Sequence, residues 1–162
     1  MPAADDSAVS CFVIGKVYQM QYDQVRELLF QQWTHTGGPN EDKAAVFYHD
    51  DAVLEFPQSG EWFQGKENIQ GWRQVYPMKL DFHPQQIRGG GDLWVAEAVL
   101  TYDGTSPVHV IKIMQFSGDK IARETLYFAD PFTPPDWRKP WAEREPQHRR
   151  QDDLPEHIAG GR

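Results

Sequence analysis

The sequence is poor in cysteine, in basic charge and in long apolar stretches, and each shortage removes a class of protein. A single cysteine, Cys11, stands in 162 residues. It permits no intramolecular disulfide and no multi-cysteine metal site, and it fits a reducing compartment. Sixteen Lys and Arg against 24 Asp and Glu leave a formal net charge of −8. The basic residues are scattered, apart from Arg149 and Arg150, so the positive stripe that a phosphate backbone demands is missing and no nucleic-acid partner is expected. No run approaches the ~18 apolar residues of a membrane span. The apolar stretch 11–14 is short for a signal-peptide core and has no basic residue before it. A soluble, cytoplasmic protein is the expectation. No set of His, Asp and Glu has the spacing of metal ligands, and Gly89-Gly90-Gly91 reads as a turn between strands, not a phosphate loop. Neither metal nor cofactor is expected.

Aromatic residues, by contrast, are plentiful, with six Trp, six Tyr and nine Phe. They bring much apolar area per residue, which suits a core or the wall of a pocket. The length suits one domain. Residues 1–10 are small and polar and read as a loose end. Residues 11–142 carry the domain. Residues 143–162 are charged and almost free of apolar side chains, the composition of a disordered tail.

Two periodicities divide the domain. Over residues 17–33 the apolar positions Tyr18, Tyr22, Val25, Leu29 and Trp33 recur at helical spacing, and Gly37, Gly38 and Pro39 stop the run. Asn40 caps a short second helix ending near His49. Residues 52–56 form a strand cut off by Pro57, with 61–63 as its hairpin partner. A third helix spans 66–76 with Ile69, Trp72 and Tyr76 on one face. Residues 79–88, 93–102, 108–116 and 120–128 then have strand length and β-branched or aromatic content. Gly89–Gly91, Asp103-Gly104 and Gly118-Asp119 are the turns between them, short enough to join antiparallel neighbours directly. Helices followed by a four-strand meander make an α+β domain with helices on one face of the sheet.

Three local motifs in this order carry a resemblance. They are Tyr48-His49-Asp50-Asp51-Ala52-Val53-Leu54, Gly65-Lys66-Glu67-Asn68-Ile69, and Phe116-Ser117-Gly118-Asp119-Lys120-Ile121 running into Tyr127-Phe128-Ala129-Asp130-Pro131. Together they resemble the nuclear transport factor 2-like superfamily, in particular its SnoaL-like branch. The resemblance implies a cone-shaped barrel of curved antiparallel sheet wrapped by three helices, with a buried pocket at the wide end and frequent dimerisation. Ketosteroid isomerases, polyketide cyclases, dehydratases and epoxide hydrolases share this fold with proteins of no known catalysis, so the site has to be argued separately.

Two of those activities lack their residues. The isomerase base implied by the resemblance falls on Phe56, with Glu55 beside it on the opposite strand face, and the second isomerase carboxylate falls on Lys112. The epoxide-hydrolase positions read Ala96-Glu97-Ala98 and Leu126. What remains is a charged pair. A three-residue turn after Phe116 would set Lys112 opposite Glu124, both inside the cone, where they could transfer a proton or hold a polar group. A two-residue turn at Gly118-Asp119 would pair Lys112 with Thr125 and Ile113 with Glu124, moving one partner to the other face. Both registers stay open, and so does a purely structural ion pair.

His83 with Asp130 or Glu124 is a second candidate acid–base pair, of the kind the family's dehydratases use. His109 falls on the face opposite Lys112, while His35 and His49 sit by helix ends. Phe56, Trp62, Trp72, Trp94 and Phe128 are candidates for the pocket wall; Trp94 shares a face with the small Ala96 and Ala98, which would leave concave room. Phe132, Trp137 and Trp141 form a Pro-rich strap that needs burial across the mouth or against a second subunit. Val95, Val99, Ile111 and Ile113 on the outer sheet face suggest a homodimer. The leading expectation is a cofactor-independent acid–base enzyme of cyclase, dehydratase or isomerase type on a small apolar molecule. A non-catalytic ligand-binding module and a structural dimerisation domain are the alternatives.

Overall fold

The computed structural model describes residues 19–105 and 107–143. The loose N-terminal end and all but the first residue of the expected tail lie outside them. Helix α1 (Tyr22–His35) starts one turn later than its periodicity suggests. Gln21 precedes it in extended conformation, and its backbone N–H donates to the Gln24 side chain at 2.9 Å, fixing the first turn there. Val25, Leu28, Leu29, Gln32 and Trp33 form its buried face. A five-residue helix α2 (Glu41–Ala45) follows, then strands β1 (Tyr48–Phe56) and β2 (Glu61–Gln64), and helix α3 (Lys66–Gln74).

The meander is as expected: β3 (Leu80–Gly90), β4 (Leu93–Tyr102), β5 (Val108–Ser117) and β6 (Lys120–Ala129) pair antiparallel in sequence order. The six strands form one curved sheet in the order β2-β1-β6-β5-β4-β3, and it does not close into a barrel. Nor is it wholly antiparallel, because β1 runs parallel to β6. This explains why β1 extends four residues before the expected start at Ala52. Tyr48 aligns with Ile121, and the ladder is interrupted until Val53 meets Arg123, leaving the polar His49-Asp50-Asp51 stretch inside a strand.

The β5–β6 hairpin settles the register. Ser117 pairs with Lys120, so the turn is the two-residue Gly118-Asp119, with Gly118 at a φ of 64° that its lack of a Cβ allows. That turn alone would move Glu124 to the outer face. The ladder instead shifts by one residue between Gln115 and Phe116, bulging out Ala122 and returning Glu124 to the inner face, opposite Met114.

The core lies between the inner sheet face and the helices, with Trp33 of α1 stacked on Phe82 of β3 at 5.3 Å and 4° between planes. Past the sheet, a 3₁₀ helix (Asp136–Trp141) ends the described chain. Phe132, Trp137 and Trp141 are 71–82% exposed, and none lines the cavity described below, so the strap does not cross the mouth. Among the described residues no helix is long and apolar enough to cross a membrane.

Candidate functional site

Between α1, α3 and the inner sheet face lies a cavity of about 360 Å³. Its wall is aromatic. Phe56 is the hub, with Phe63, Trp72 and Phe128 rings all 5.7–5.8 Å from it. Leu80, Phe82 and Tyr102 continue the wall, and Gln58, Ser59 and Glu61 form part of the lining at the β1–β2 turn. The Gln58 side chain bonds both the N–H and the C=O of Phe128, tying this turn to the end of β6.

The floor is charged. Lys112 and Glu124, with side chains 3% and 0% exposed, meet at 3.1 Å. Both Glu124 oxygens are engaged: Tyr48 donates to its Oε2 at 2.5 Å, and Arg73 Nη2 donates to its Oε1 at 3.0 Å. Arg73 Nη1 in turn donates to the Tyr48 hydroxyl at 2.7 Å, closing a ring of three buried groups. Behind them Glu41 sits 3.8 Å from Arg73, its Oε2 accepting the Gly37 N–H at 2.7 Å. A side chain at Gly37, whose φ is 76°, would drive into Leu80 Cδ1 at 2.8 Å, so that donor depends on glycine.

Charge states follow from these partners. Burial alone would raise the Glu124 carboxyl, but Lys112, Arg73 and Tyr48 outweigh it and hold it below its usual range. Burial lowers Lys112 to about 8, against the pull of Glu124 and with help from nearby Arg73. Burial would also lower Arg73, but Tyr48, Glu124 and Glu41 raise it, so it stays a cation. Glu41, desolvated and only distantly paired, is raised. Burial lifts Tyr48 well above its ordinary value, so it remains a donor.

Two further polar groups in the lining lack partners among the described residues. Lys112 Nζ donates to Gln32 Oε1, which leaves Gln32 Nε2 buried and unpaired, and the indole N–H of Trp72 is buried without an acceptor. A buried donor left unpaired costs about 1–3 kcal/mol.

Among the candidate pairs, the structure therefore brings Lys112 and Glu124 together and leaves His83 and Asp130 apart from them. His83 is exposed on the face opposite Phe82, Asp130 is exposed beyond β6, and neither lines the cavity. Phe56, Trp72 and Phe128 are wall residues. Trp62 is not: it points outward, 56% exposed, with the Arg123 guanidinium 5.2 Å above its ring. Trp94 is buried in the core next to Tyr22, its indole N–H donating to Gly91, and Ala96 and Ala98 are packed in the same core, so no concave room opens there. His109 is exposed, and His49 bonds the Ser117 carbonyl at 2.7 Å. Glu55 faces outward to Arg123 and Thr125. Sequence reasoning missed Arg73, Gln32, Tyr48 and Glu41. For the first two a signal existed: Arg73 lies four residues after Ile69, and Gln32 lies three after Leu29, each a polar residue on an apolar helix face.

The SnoaL-like domain family matches residues 29–124. This chain belongs to the SnoaL-like family. It is thereby a nuclear transport factor 2-like protein, as its mixed sheet and helices indicate. A nuclear transport factor 2-like protein of unknown function from Burkholderia xenovorans is 36% identical, over 76% of this chain and 97% of that one, with a TM-score of 0.68. A candidate ketosteroid isomerase from Kribbella flavida shares the fold at 20% identity, 80% and 95% coverage and a TM-score of 0.68. So does a protein from Catenulispora acidiphila with a ketosteroid isomerase-like fold, in complex with trimethylamine, at 19% identity, 67% and 98% coverage and a TM-score of 0.56. No curated protein matches the chain. Phe56 and Lys112, the positions on which the resemblance lets the two isomerase carboxylates fall, both line the cavity.

Proposed function

We propose that this SnoaL-like chain binds a small, largely apolar molecule in the aromatic cavity and acts on it by acid–base chemistry without a cofactor, as a cyclase, dehydratase or isomerase does. One observation carries the reading: the Lys112 amine, its side chain 3% exposed, stands at the floor of an aromatic-walled cavity, where burial lowers it to about 8. Near that pH both ammonium and amine are populated, so the same side chain can give a proton to a ligand oxygen or take one from carbon. Glu124 is a positioning residue in this account. Its oxygens are occupied by Tyr48, Arg73 and Lys112, and it holds the amine in place. The Catenulispora protein's complex with trimethylamine agrees with a small-molecule role, although two cations in the lining here, Arg73 and Lys112, make an amine a poor ligand.

The test needs no known substrate. Apolar cyclic ketones are incubated with the protein in heavy water, and exchange of the protons next to the carbonyl is followed by NMR. Wild type should accelerate exchange, and Lys112→Met should lose about 10²–10⁴ of that rate. Binding without acceleration across the panel would favour the second reading, a non-catalytic binding module. The hold of three donors on Glu124 supports that alternative, since it ties the second ionised group of the floor to the protein.

A further inference from the structure

We propose that the buried end of the ligand carries hydrogen-bond acceptors and no donor, a carbonyl or carboxylate oxygen, and that Gln32 and Trp72 recognise it. This rests on the cavity being a small-molecule site, and it names the chemistry that site selects.

The orientation of Gln32 is fixed by its neighbour. An ammonium has only donors, so the contact from Lys112 Nζ must go to Oε1, and Nε2 is the end left over. Gln32 is 1% exposed, Nε2 has no partner among the described residues, and the residue lines the cavity. The Trp72 indole can only donate, is equally unpaired, and lines the same cavity. Lys112 has three N–H groups, of which Gln32 and Glu124 take two. The acceptors in the floor are already in use: Gln32 Oε1 by Lys112, and both Glu124 oxygens by Tyr48, Arg73 and Lys112. Both buried side-chain groups of the lining that have no hydrogen-bond partner among the described residues are therefore donors; Glu41 Oε1, also without a hydrogen bond, lies behind the floor, outside the lining.

An ammonium would set only donors against these groups, and an alcohol, though its oxygen can accept, would bring an O–H that neither group can receive, whereas a carbonyl or carboxylate oxygen completes them with nothing left over. The Arg73 and Lys112 cations favour the same partial negative charge, and the surrounding aromatic wall selects an apolar body. Discrimination of this kind is steep, because a site built to bond a polar group leaves its own buried groups unpaired when that group is missing.

The experiment measures dissociation constants by calorimetry for four probes of nearly equal shape: acetylnaphthalene, naphthoate, isopropylnaphthalene and naphthylethylamine. Acetylnaphthalene or naphthoate should bind at least ~10-fold more tightly than isopropylnaphthalene, and the order of those two distinguishes carbonyl from carboxylate. Gln32→Met and Gln32→Glu should bring the ratio of acceptor-probe affinity to isopropylnaphthalene affinity down toward one, whatever the change in absolute affinity. Trp72→Phe, which keeps the ring and removes the donor, should reduce the preference independently should either Gln32 variant fail to fold. Equal affinity of wild type for all four probes would overturn the inference and leave the cavity reading standing. Tightest binding of the amine would also overturn it. No binding of any probe would remove both.

Discussion

Glu124 lies across the ladder from Met114 and Lys112 across from Leu126, yet their charged ends meet at 3.1 Å on the inner face. They are diagonal neighbours two residues apart, within reach for long side chains. The bulge at Ala122 makes this possible, because the two-residue turn that precedes it would otherwise place Glu124 outside. A one-residue irregularity thus decides whether the cavity has a charged floor.

The pair should be unequal in stability terms. Glu124→Gln leaves Lys112 and Arg73 as two buried cations without their shared counter-ion, and should cost about 3–5 kcal/mol. Lys112→Met leaves Glu124 still bonded by Arg73 and Tyr48, and should cost clearly less. Urea denaturation of both variants and the double mutant measures this. Equal and small losses would place the pair in solvent.

How far the sequence reached is visible in the same residues. Strand periodicity located the meander, since period and turn chemistry act locally, and of the five aromatic candidates for the wall, Phe56, Trp72 and Phe128 line the cavity. The β1–β6 pairing is parallel and spans about seventy residues of chain, so no turn announces it. The register of β5 on β6 turned on a bulge that Ala122 does not advertise. Trp62 and Trp94 show the opposite limit: a large ring suits a core, a wall or a cation–π stack, and only packing chooses.

Glu41 should behave as a buried acid that holds its proton more tightly than a carboxyl in water does. Its folded-state value is raised, so the stability it contributes is present below its ordinary value of 4.5 and is lost as pH rises through the folded value. Glu41→Gln keeps an acceptor for the Gly37 N–H and removes the charge. The variant should melt above wild type at pH 7, with the gap closing on acidification below that folded value. A variant less stable than wild type at pH 7 would show that the Arg73 contact dominates.

Lys112 gives the reverse dependence in alkali. Its folded value, about 8 against 10.5, means that its stabilising contribution is complete above 10.5 and is lost as pH falls toward 8. Measured against Lys112→Met, which removes the titration, wild type should gain about 2–3 kcal/mol between pH 8 and pH 10.5. The comparison cancels Tyr48, whose raised value acts in both proteins above pH 10.

The outer sheet face should pair with a second copy. Ile111 and Tyr127 are 43% and 39% exposed there, beside the half-buried Val95, Val99 and Ile113. Sedimentation at tens of micromolar should give a dimer, and Ile111→Glu a monomer. A monomeric wild type at high micromolar concentration would contradict this.

The account stands or falls on Lys112 titrating inside the cavity. NMR of protein labelled at the lysine Cε, with Lys112→Met to assign the signal, reads that ionisation directly, with and without saturating acetylnaphthalene. The prediction is a midpoint near 8, set apart from the surface lysines and moved by the probe. A midpoint among the surface lysines, unchanged by the probe, would contradict it.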